Sequence, residues 1–455
     1  MRAAYFAVPI AITVSLFTIF ESQQVCAQDA VVTTEFALPS SDDGLPGVGP
    51  IRRYPWFQNL WNSRRTAWAS QQATQQGTIV FLGDSITQGW GDDFKGQFPD
   101  LKLANRGISG DTTRGMLIRL QADVLSLDPS AVVMLMGTND LEEAATPEMV
   151  AENVELILEQ LKEHNQQMPI VLCLVFPSSE TKKRPAEKIR QVNSLVAEVV
   201  KGDPQITVLD TWTLFADSDG NAKEGEFPDL LHPNDLGYQK WAAALKPVFA
   251  TLGFLETKPE PFEIEPGFRL LFNGHDLTGW CLLPTTSEQL QARERWIGRN
   301  PSVADWPVIH ERLDLDGKQQ SPNGRYQAIG GRLVVTTPPA GRSIEQLWTS
   351  TEFGEDFTLK LQFRCTPNAD SGVFVRGPQL QCRDFLLAGP YKDLKKYRQQ
   401  DWNDLVVTVK GGLAHCSCNG EILDAEFKVP ETGPIGLEGD RGQLEYRNIR
   451  IGPVE

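Results

Sequence analysis

Positive charge is scarce in this chain. Its 455 residues carry 43 Lys and Arg against 59 Asp and Glu, a formal net charge of -16, and no dense Lys/Arg run offsets that balance locally. A surface of this sign repels phosphate backbones and anionic lipid, which argues against nucleic acid and membrane surfaces as partners. Long apolar runs are scarce too: beyond residue 20 no segment is long and apolar enough to span a bilayer. Only five histidines occur. Cys416 and Cys418 stand beside His415, but no second ligand pair at zinc spacing accompanies them, so no metal or other cofactor is expected. No internal repeat recurs at a fixed period. The composition, 41% hydrophobic and 22% charged with 11 Trp and 22 Phe, excludes a disordered, collagen-like or coiled-coil chain. The length points to two domains.

What is present begins with an export signature. Met1-Arg2 is basic, Tyr5 to Phe20 is apolar, and Val25-Cys26-Ala27 supplies small residues for cleavage. These features predict a signal peptide over residues 1–27, cut near Ala27, and a secreted or periplasmic mature chain. Such a compartment would permit bridges among Cys281, Cys365, Cys382, Cys416 and Cys418, whereas Cys173 stands alone in the first half. Cys416 and Cys418, two apart on one strand face, are poorly placed to bridge each other.

Residues 28–50, rich in Pro, Gly, Ser and Asp, read as a linker, and 51–76 as a helical lead-in bearing Trp56, Phe57, Trp61 and Trp68. Short apolar runs follow at Thr78–Leu82, Ala131–Met136, Ile170–Val175 and Ile206–Leu209. They alternate with helical patterns over Pro147–His164 and Pro185–Val200. A last helix carries Tyr238, Trp241, Ala242, Leu245, Val248 and Phe249 at helical spacing. This alternation predicts a parallel three-layer α/β domain over 51–253. After a Pro-rich linker at 254–264, an all-β pattern occupies 265–455, with an aperiodic insertion at 284–326.

Four segments of the α/β region suit one chemistry. Gly83-Asp84-Ser85 follows the first buried strand, so Ser85 falls at the carboxyl end of the sheet, where it could be a nucleophile or a helix cap. Gly110, in Ile108-Ser109-Gly110-Asp111, could turn its N–H into the same pocket or merely serve a tight turn. Asn139, in Gly137-Thr138-Asn139-Asp140, could donate its amide to an oxyanion or close an Asx turn. Asp229, three residues before His232, could orient the imidazole toward a serine. Four independent structural explanations would have to coincide for this set to carry no chemistry.

In order and spacing these segments resemble the four blocks of the SGNH, or GDSL, hydrolases, with the stretch from about 77 to 253 similar to their platelet-activating-factor acetylhydrolase-like and carbohydrate-esterase branches. The resemblance implies a flavodoxin-like sheet. It implies Ser85 as nucleophile, His232 as general base and Asp229 as orienting acid. The Ser85 N–H, the Gly110 N–H and the Asn139 amide would form the oxyanion hole, and no metal is needed.

The second region carries Gly267 to Trp280, Asn368 to Arg376, Asp401-Trp402-Asn403-Asp404, Asn419-Gly420 and Glu445 to Ile449. Together they resemble the 3-keto-disaccharide hydrolase family, which implies a concanavalin-like or laminin-G-like β-sandwich. Where members show Gly-x-Glu-x-Gln, this chain has Gly377-Pro378-Gln379-Leu380-Gln381, with Gln379 in the acidic position. Asp370, Arg376, Gln381, Asp384 and His415 are the polar candidates for a sugar site, each equally readable as a cap, a solvated residue or an ion pair. Trp280 and Trp402 suit either a sugar platform or the core. The expected function is an exported serine esterase removing acyl groups, acetyl above all, from a carbohydrate or a small acyl ester. Two alternatives stay open: a 3-keto-glycoside hydrolase or lyase working through the second domain, and a non-catalytic polysaccharide-binding protein.

Overall fold

Continuous apolar runs need a sheet covered on both faces. The computed structural model, which describes residues 36–201, 203–255, 258–299, 303–338, 342–385 and 391–454, contains one. Its strands are β1 (Ile79–Gly83), β2 (Leu103–Gly107), β3 (Ala131–Leu135), β4 (Ile170–Cys173) and β5 (Ile206–Leu209). They pair in parallel in the order β2-β1-β3-β4-β5, the flavodoxin-like order, which places its ligand crevice beyond the carboxyl ends of β1 and β3. The sequence reading missed β2. Its Asn105 and Arg106 break the apolar pattern, yet both are buried: Asn105 donates to the Thr87 and Gly91 carbonyls (2.8 and 3.0 Å) and Arg106 to the Asp123 carbonyl (2.9 Å).

The helices of this unit are α1 (Pro55–Gln71), α2 (Ser85–Gln88), α3 (Thr113–Asp123), α4 (Thr138–Glu142), α5 (Pro147–His164), α6 (Ala186–Val199), α7 (Thr211–Phe215) and α8 (Asp235–Thr251). Met116 and Leu120 of α3, Val154 and Ile157 of α5 and Val192 of α6 pack on one face of the sheet. Trp241, Leu245 and Phe249 of α8 cover the other together with Trp90 and Phe98. Trp90 and Trp241 stack at 4.4 Å. The residues that mark one face of α8 in sequence are thus the ones that build the third layer.

The expected signal peptide, including Cys26, and residues 28–35 of the expected linker lie outside the described residues. The rest of that linker is fastened to the α/β unit. The Val48 N–H donates to Asn153 Oδ1 (2.9 Å), Arg114 pairs with Asp42 (2.6 Å) and the Trp61 indole donates to the Phe36 carbonyl (3.0 Å). Among the described residues no helix is long and apolar enough to cross a membrane.

After residue 265 the backbone is almost wholly antiparallel. One sheet is built around Phe357–Cys365, Asn403–Lys410 and Leu444–Gly452, and a second around Gly372–Val375, Pro434–Gly439 and Glu345–Glu352. Leu359, Leu361 and Phe363 of the first meet Val373, Val375 and Leu437 of the second in a single core. Trp280 is buried there and donates its indole N–H to the Leu271 carbonyl (2.9 Å). The stretch read as an aperiodic insertion holds a helix, Ser287–Arg299. Cys173, Cys281, Cys365, Cys382, Cys416 and Cys418 are all buried free thiols. Polar contacts join the two units: Gln443 Nε2 donates to the Pro247 carbonyl and Thr251 Oγ1 (3.1 and 3.0 Å), and Asn368 Nδ2 to Asp210 Oδ2 (3.0 Å).

Candidate active site

At the end of β1, position 83 has no room for a side chain. A Cβ on Gly83 would lie 2.1 Å from Thr87 Oγ1 and 2.8 Å from the Leu135 carbonyl. Asp84 then caps α2, its Oδ1 accepting the Ile86 N–H at 2.9 Å, and burial pushes its carboxyl up to about 6 against that hydrogen bond and the nearby His232. Ser85 is the first helical residue, so its N–H has no intrahelical partner.

The Asp229–His232 turn comes to this serine from the segment leading into α8, whose Tyr238 and Trp241 pack on the same face of the sheet as Ile86. Asp229 Oδ1 accepts the Leu231 and His232 N–H groups (3.1 and 2.7 Å), leaving Oδ2 for His232 Nδ1 at 2.7 Å. His232 Nε2 lies 2.9 Å from Ser85 Oγ. Leu230 takes a left-handed φ of 62° inside the turn, and its carbonyl is held by Ser178 Oγ at 2.8 Å. Partial burial works to raise the Asp229 pKa, but the His232 amide and ring hold it below the ordinary carboxylate value. Downstream of the turn, the Tyr238 hydroxyl on α8 donates to the Ile86 carbonyl (2.8 Å), tying the two halves together.

The other two segments converge on the same end of the sheet. Gly110 has φ of 87°, in the region favouring glycine. A Cβ there would lie 2.6 Å from Trp56 Cη2 and 2.9 Å from Arg52 Nη1. No partner engages the Ser85 or Gly110 N–H among the described residues. Asn139 Nδ2 donates to the Asp111 carbonyl at 2.9 Å, and Asn139 Oδ1 accepts from Arg184 Nη2 at 3.0 Å. That arrangement fixes which end of the amide is the donor and leaves its second N–H unspent. Beneath lies Asp140, gripped by the Thr113 N–H (3.0 Å) and hydroxyl (2.6 Å) and pushed by burial up to about 6. Asp111 is fully buried against Arg119 at 2.7 Å. Sequence reasoning overlooked Arg184 and the Arg52–Glu142 pair beside it. Nothing about a lone Arg before a helix announces that its guanidinium returns to the short helix α4, 45 residues upstream.

The five polar candidates of the second unit are not gathered into one site. Asp370 and Arg376 stand at opposite ends of Gly372–Val375, about 20 Å apart at strand rise. Arg376 is spent on the Gly411, Pro430 and Glu355 carbonyls. Asp384 is buried and accepts the Asn368 N–H (3.2 Å); burial pushes it up to about 6, with Lys240 and Lys223 of the first unit opposing. His415 is exposed on a strand of the other sheet, opposite Thr408. Asp370 and Gln381 do come together, both meeting the Arg383 guanidinium. Trp402 is flanked by the Arg364 and Arg447 guanidinium groups at 4.7 and 4.1 Å. Near Asp370 the structure adds Glu438, which takes a hydrogen bond from Gln379, and the Arg342–Asp440 pair.

A doubly wound, flavodoxin-like sheet with these blocks at its carboxyl edge defines the class: a three-layer α/β protein that is a hydrolase acting on esters. The particular lineage follows from comparison with known proteins. The model of the GDSL-like lipase/acylhydrolase family matches residues 81–240, and that of the 3-keto-alpha-glucoside-1,2-lyase-like domain matches residues 267–452. The chain is similar to platelet-activating factor acetylhydrolase IB subunit alpha1 of Bos taurus, 30% identical over 188 residues, which is 41% of this chain and 80% of that protein. It is also similar to subunit alpha2 of Homo sapiens, 29% identical over 203 residues, 44% of this chain and 87% of that protein. Among solved structures, a GDSL-like lipase from Bacteroides thetaiotaomicron is 25% identical with a TM-score of 0.37, covering 41% of this chain and 97% of that one. The chain belongs to the GDSL-like lipase/acylhydrolase family and carries a 3-keto-disaccharide hydrolase domain after it.

Proposed function

We propose that the protein is an exported esterase that removes acetyl or similarly small acyl groups from carbohydrate, with Ser85, His232 and Asp229 as its catalytic residues. The observation that carries this reading is the continuous relay of 2.9 Å from Ser85 Oγ to His232 Nε2 and 2.7 Å from His232 Nδ1 to Asp229. Ser85 Oγ attacks the ester carbonyl as His232 Nε2 takes its proton. The Ser85 and Gly110 N–H groups and the free Asn139 N–H receive the charge that forms on the carbonyl oxygen. His232 returns the proton to the departing alcohol, leaving acyl-Ser85. Water then attacks the acyl carbon, gives its proton to His232, and the carboxylic acid leaves as Ser85 regains its hydrogen.

Residues 51–253 are taken as the catalytic domain and 265–455 as a sugar-binding domain held beside it. A fluorophosphonate probe tests the assignment, because only an activated serine reacts readily. Labelling at Ser85, abolished together with aryl acetate hydrolysis in Ser85→Ala, is the expected result; full turnover by Ser85→Ala would overturn it.

A further inference from the structure

The aromatic residues around α1 divide into two groups. Phe57, Trp61 and Trp68 are buried, whereas Tyr54 and Trp56 keep 49% and 51% of their surface in solvent. Both exposed rings are fixed in place. They lie nearly parallel, 9° apart with centroids at 6.3 Å, and Trp56 meets Phe57 edge-on at 5.7 Å. The Tyr54 hydroxyl reaches Glu143 Oε2 at 3.4 Å, and Arg52, two residues earlier, pairs with both Glu142 and Glu143. Glu142 ends α4, the short helix that carries Asn139, and Arg184 joins Glu142 to that asparagine. The far edge of Trp56 stands where a side chain on residue 110 would go. An exposed aromatic pair is therefore clamped to both non-serine donors of the candidate oxyanion hole.

We propose that Tyr54 and Trp56 form the platform on which the saccharide portion of the ester is held, resting on the esterase reading above. A lipid tail calls for an enclosed apolar channel. Here the rings stand beside the Glu142 and Glu143 carboxylates, and the His232 and Asp229 side chains are 43% and 45% exposed. Exposed flat rings with a charged border match a pyranose, which has a C–H face to lay on the rings and hydroxyls at its rim. An ester on such a ring, held at Trp56, would present its carbonyl close to the Gly110 N–H.

The test compares kcat/KM on an acetylated xylo-oligosaccharide with kcat/KM on an aryl acetate, for wild type, Trp56→Ala, Trp56→Phe and Tyr54→Ala. The ratio of saccharide to aryl activity is expected to fall about tenfold in Trp56→Ala, chiefly through KM. Tyr54→Ala should lower it several-fold, and Trp56→Phe should recover most of it. Tyr54 is held through its hydroxyl on Glu143 and its ring on Trp56, whereas Trp56 abuts Gly110, so the Tyr54 variant reads the platform even if Trp56→Ala misfolds. An unchanged ratio in Trp56→Ala and Tyr54→Ala would overturn the proposal, as would a wild type active on aryl acetate but inert to the saccharide. A wild type inert to both would instead remove the esterase reading. The platform would then stand or fall on calorimetry with unesterified xylo-oligosaccharide, where equal affinity in wild type and Trp56→Ala overturns it.

Discussion

Arg184 Nη2 lies 3.0 Å from Asn139 Oδ1, and this contact governs which end of the Asn139 amide can serve as a donor. The same guanidinium holds the Thr138 carbonyl through Nε (2.9 Å) and Glu142 through Nη2 (2.8 Å), so the whole first turn of α4 is oriented from α6's leading edge. An amide is nearly symmetric in shape, and only its partners distinguish oxygen from nitrogen. Arg184 is a positioning residue in this reading.

Arg184→Ala is expected to lower kcat for an aryl acetate about 10-fold to 100-fold with a smaller change in KM. The effect should stay below that of Asn139→Ala, for which removal of one oxyanion donor costs about 100-fold to 1,000-fold. The double variant should be no slower than Asn139→Ala alone, because both act through one amide. Losses that multiply in the double variant would show that Arg184 serves some other group.

Asp229 makes a sharper prediction. Its Oδ1 is occupied by two backbone N–H groups, so an asparagine there would keep Oδ1 in place and turn Nδ2 toward His232 Nδ1. The ring would then carry its proton on Nε2, pointing at Ser85 and unable to accept. Asp229→Asn is expected to cut kcat about 10⁴-fold, the size of effect seen when a triad histidine is locked in the wrong tautomer, and Asp229→Ala, which imposes no tautomer, should be less severe. Steady-state rates on aryl acetate decide it; equal losses in the two variants would contradict the tautomer argument.

How far these features were legible from sequence depended on whether a signal was local. The apolar strands β1, β3, β4 and β5 stand out because each is a short apolar run, interrupted only by Thr207 in β5, and Ser85, Gly110, Asn139 and the Asp229–His232 turn lie in short segments directly after or between such elements. Strand β2 was hidden because Asn105 and Arg106 find buried partners that only tertiary contact supplies. The helix Ser287–Arg299 did carry a local signal that went unread. Thr286 and Gln289 form a reciprocal capping box, Thr286 N–H to Gln289 Oε1 at 2.8 Å and Gln289 N–H to Thr286 Oγ1 at 3.2 Å. Arg184, Arg52 and Glu438 act across strands or helices distant in the chain, and no spacing rule reaches that far.

Gly110 joins backbone conformation to the platform. With φ of 87° and Trp56 Cη2 only 2.6 Å from an added Cβ, Gly110→Ala must displace either the loop or the indole. The expected result is a loss of stability of about 1–3 kcal/mol together with at least a tenfold fall in kcat/KM on aryl acetate. Thermal melts and kinetics on the same preparation check both. An alanine variant with wild-type Tm and rate would mean that the loop yields freely and that its position does not matter.

Glu438 offers a test in the second unit through pH. Burial, with Asp440 adding to it, pushes this carboxyl from 4.5 up to about 8, against the Gln379 hydrogen bond. A carboxyl whose pKa rises on folding binds its proton more tightly in the native state than in the unfolded one. Its contribution is therefore intact below about 4.5 and is lost progressively as pH climbs toward about 8. Glu438→Gln keeps the neutral shape and removes the titration. The Tm difference between Glu438→Gln and wild type should move in the variant's favour from pH 5 to pH 8.5, read on the transition of the β-sandwich. A difference that stays constant across that range would mean Glu438 is already ionised in the folded protein, with the Arg342 guanidinium outweighing its burial.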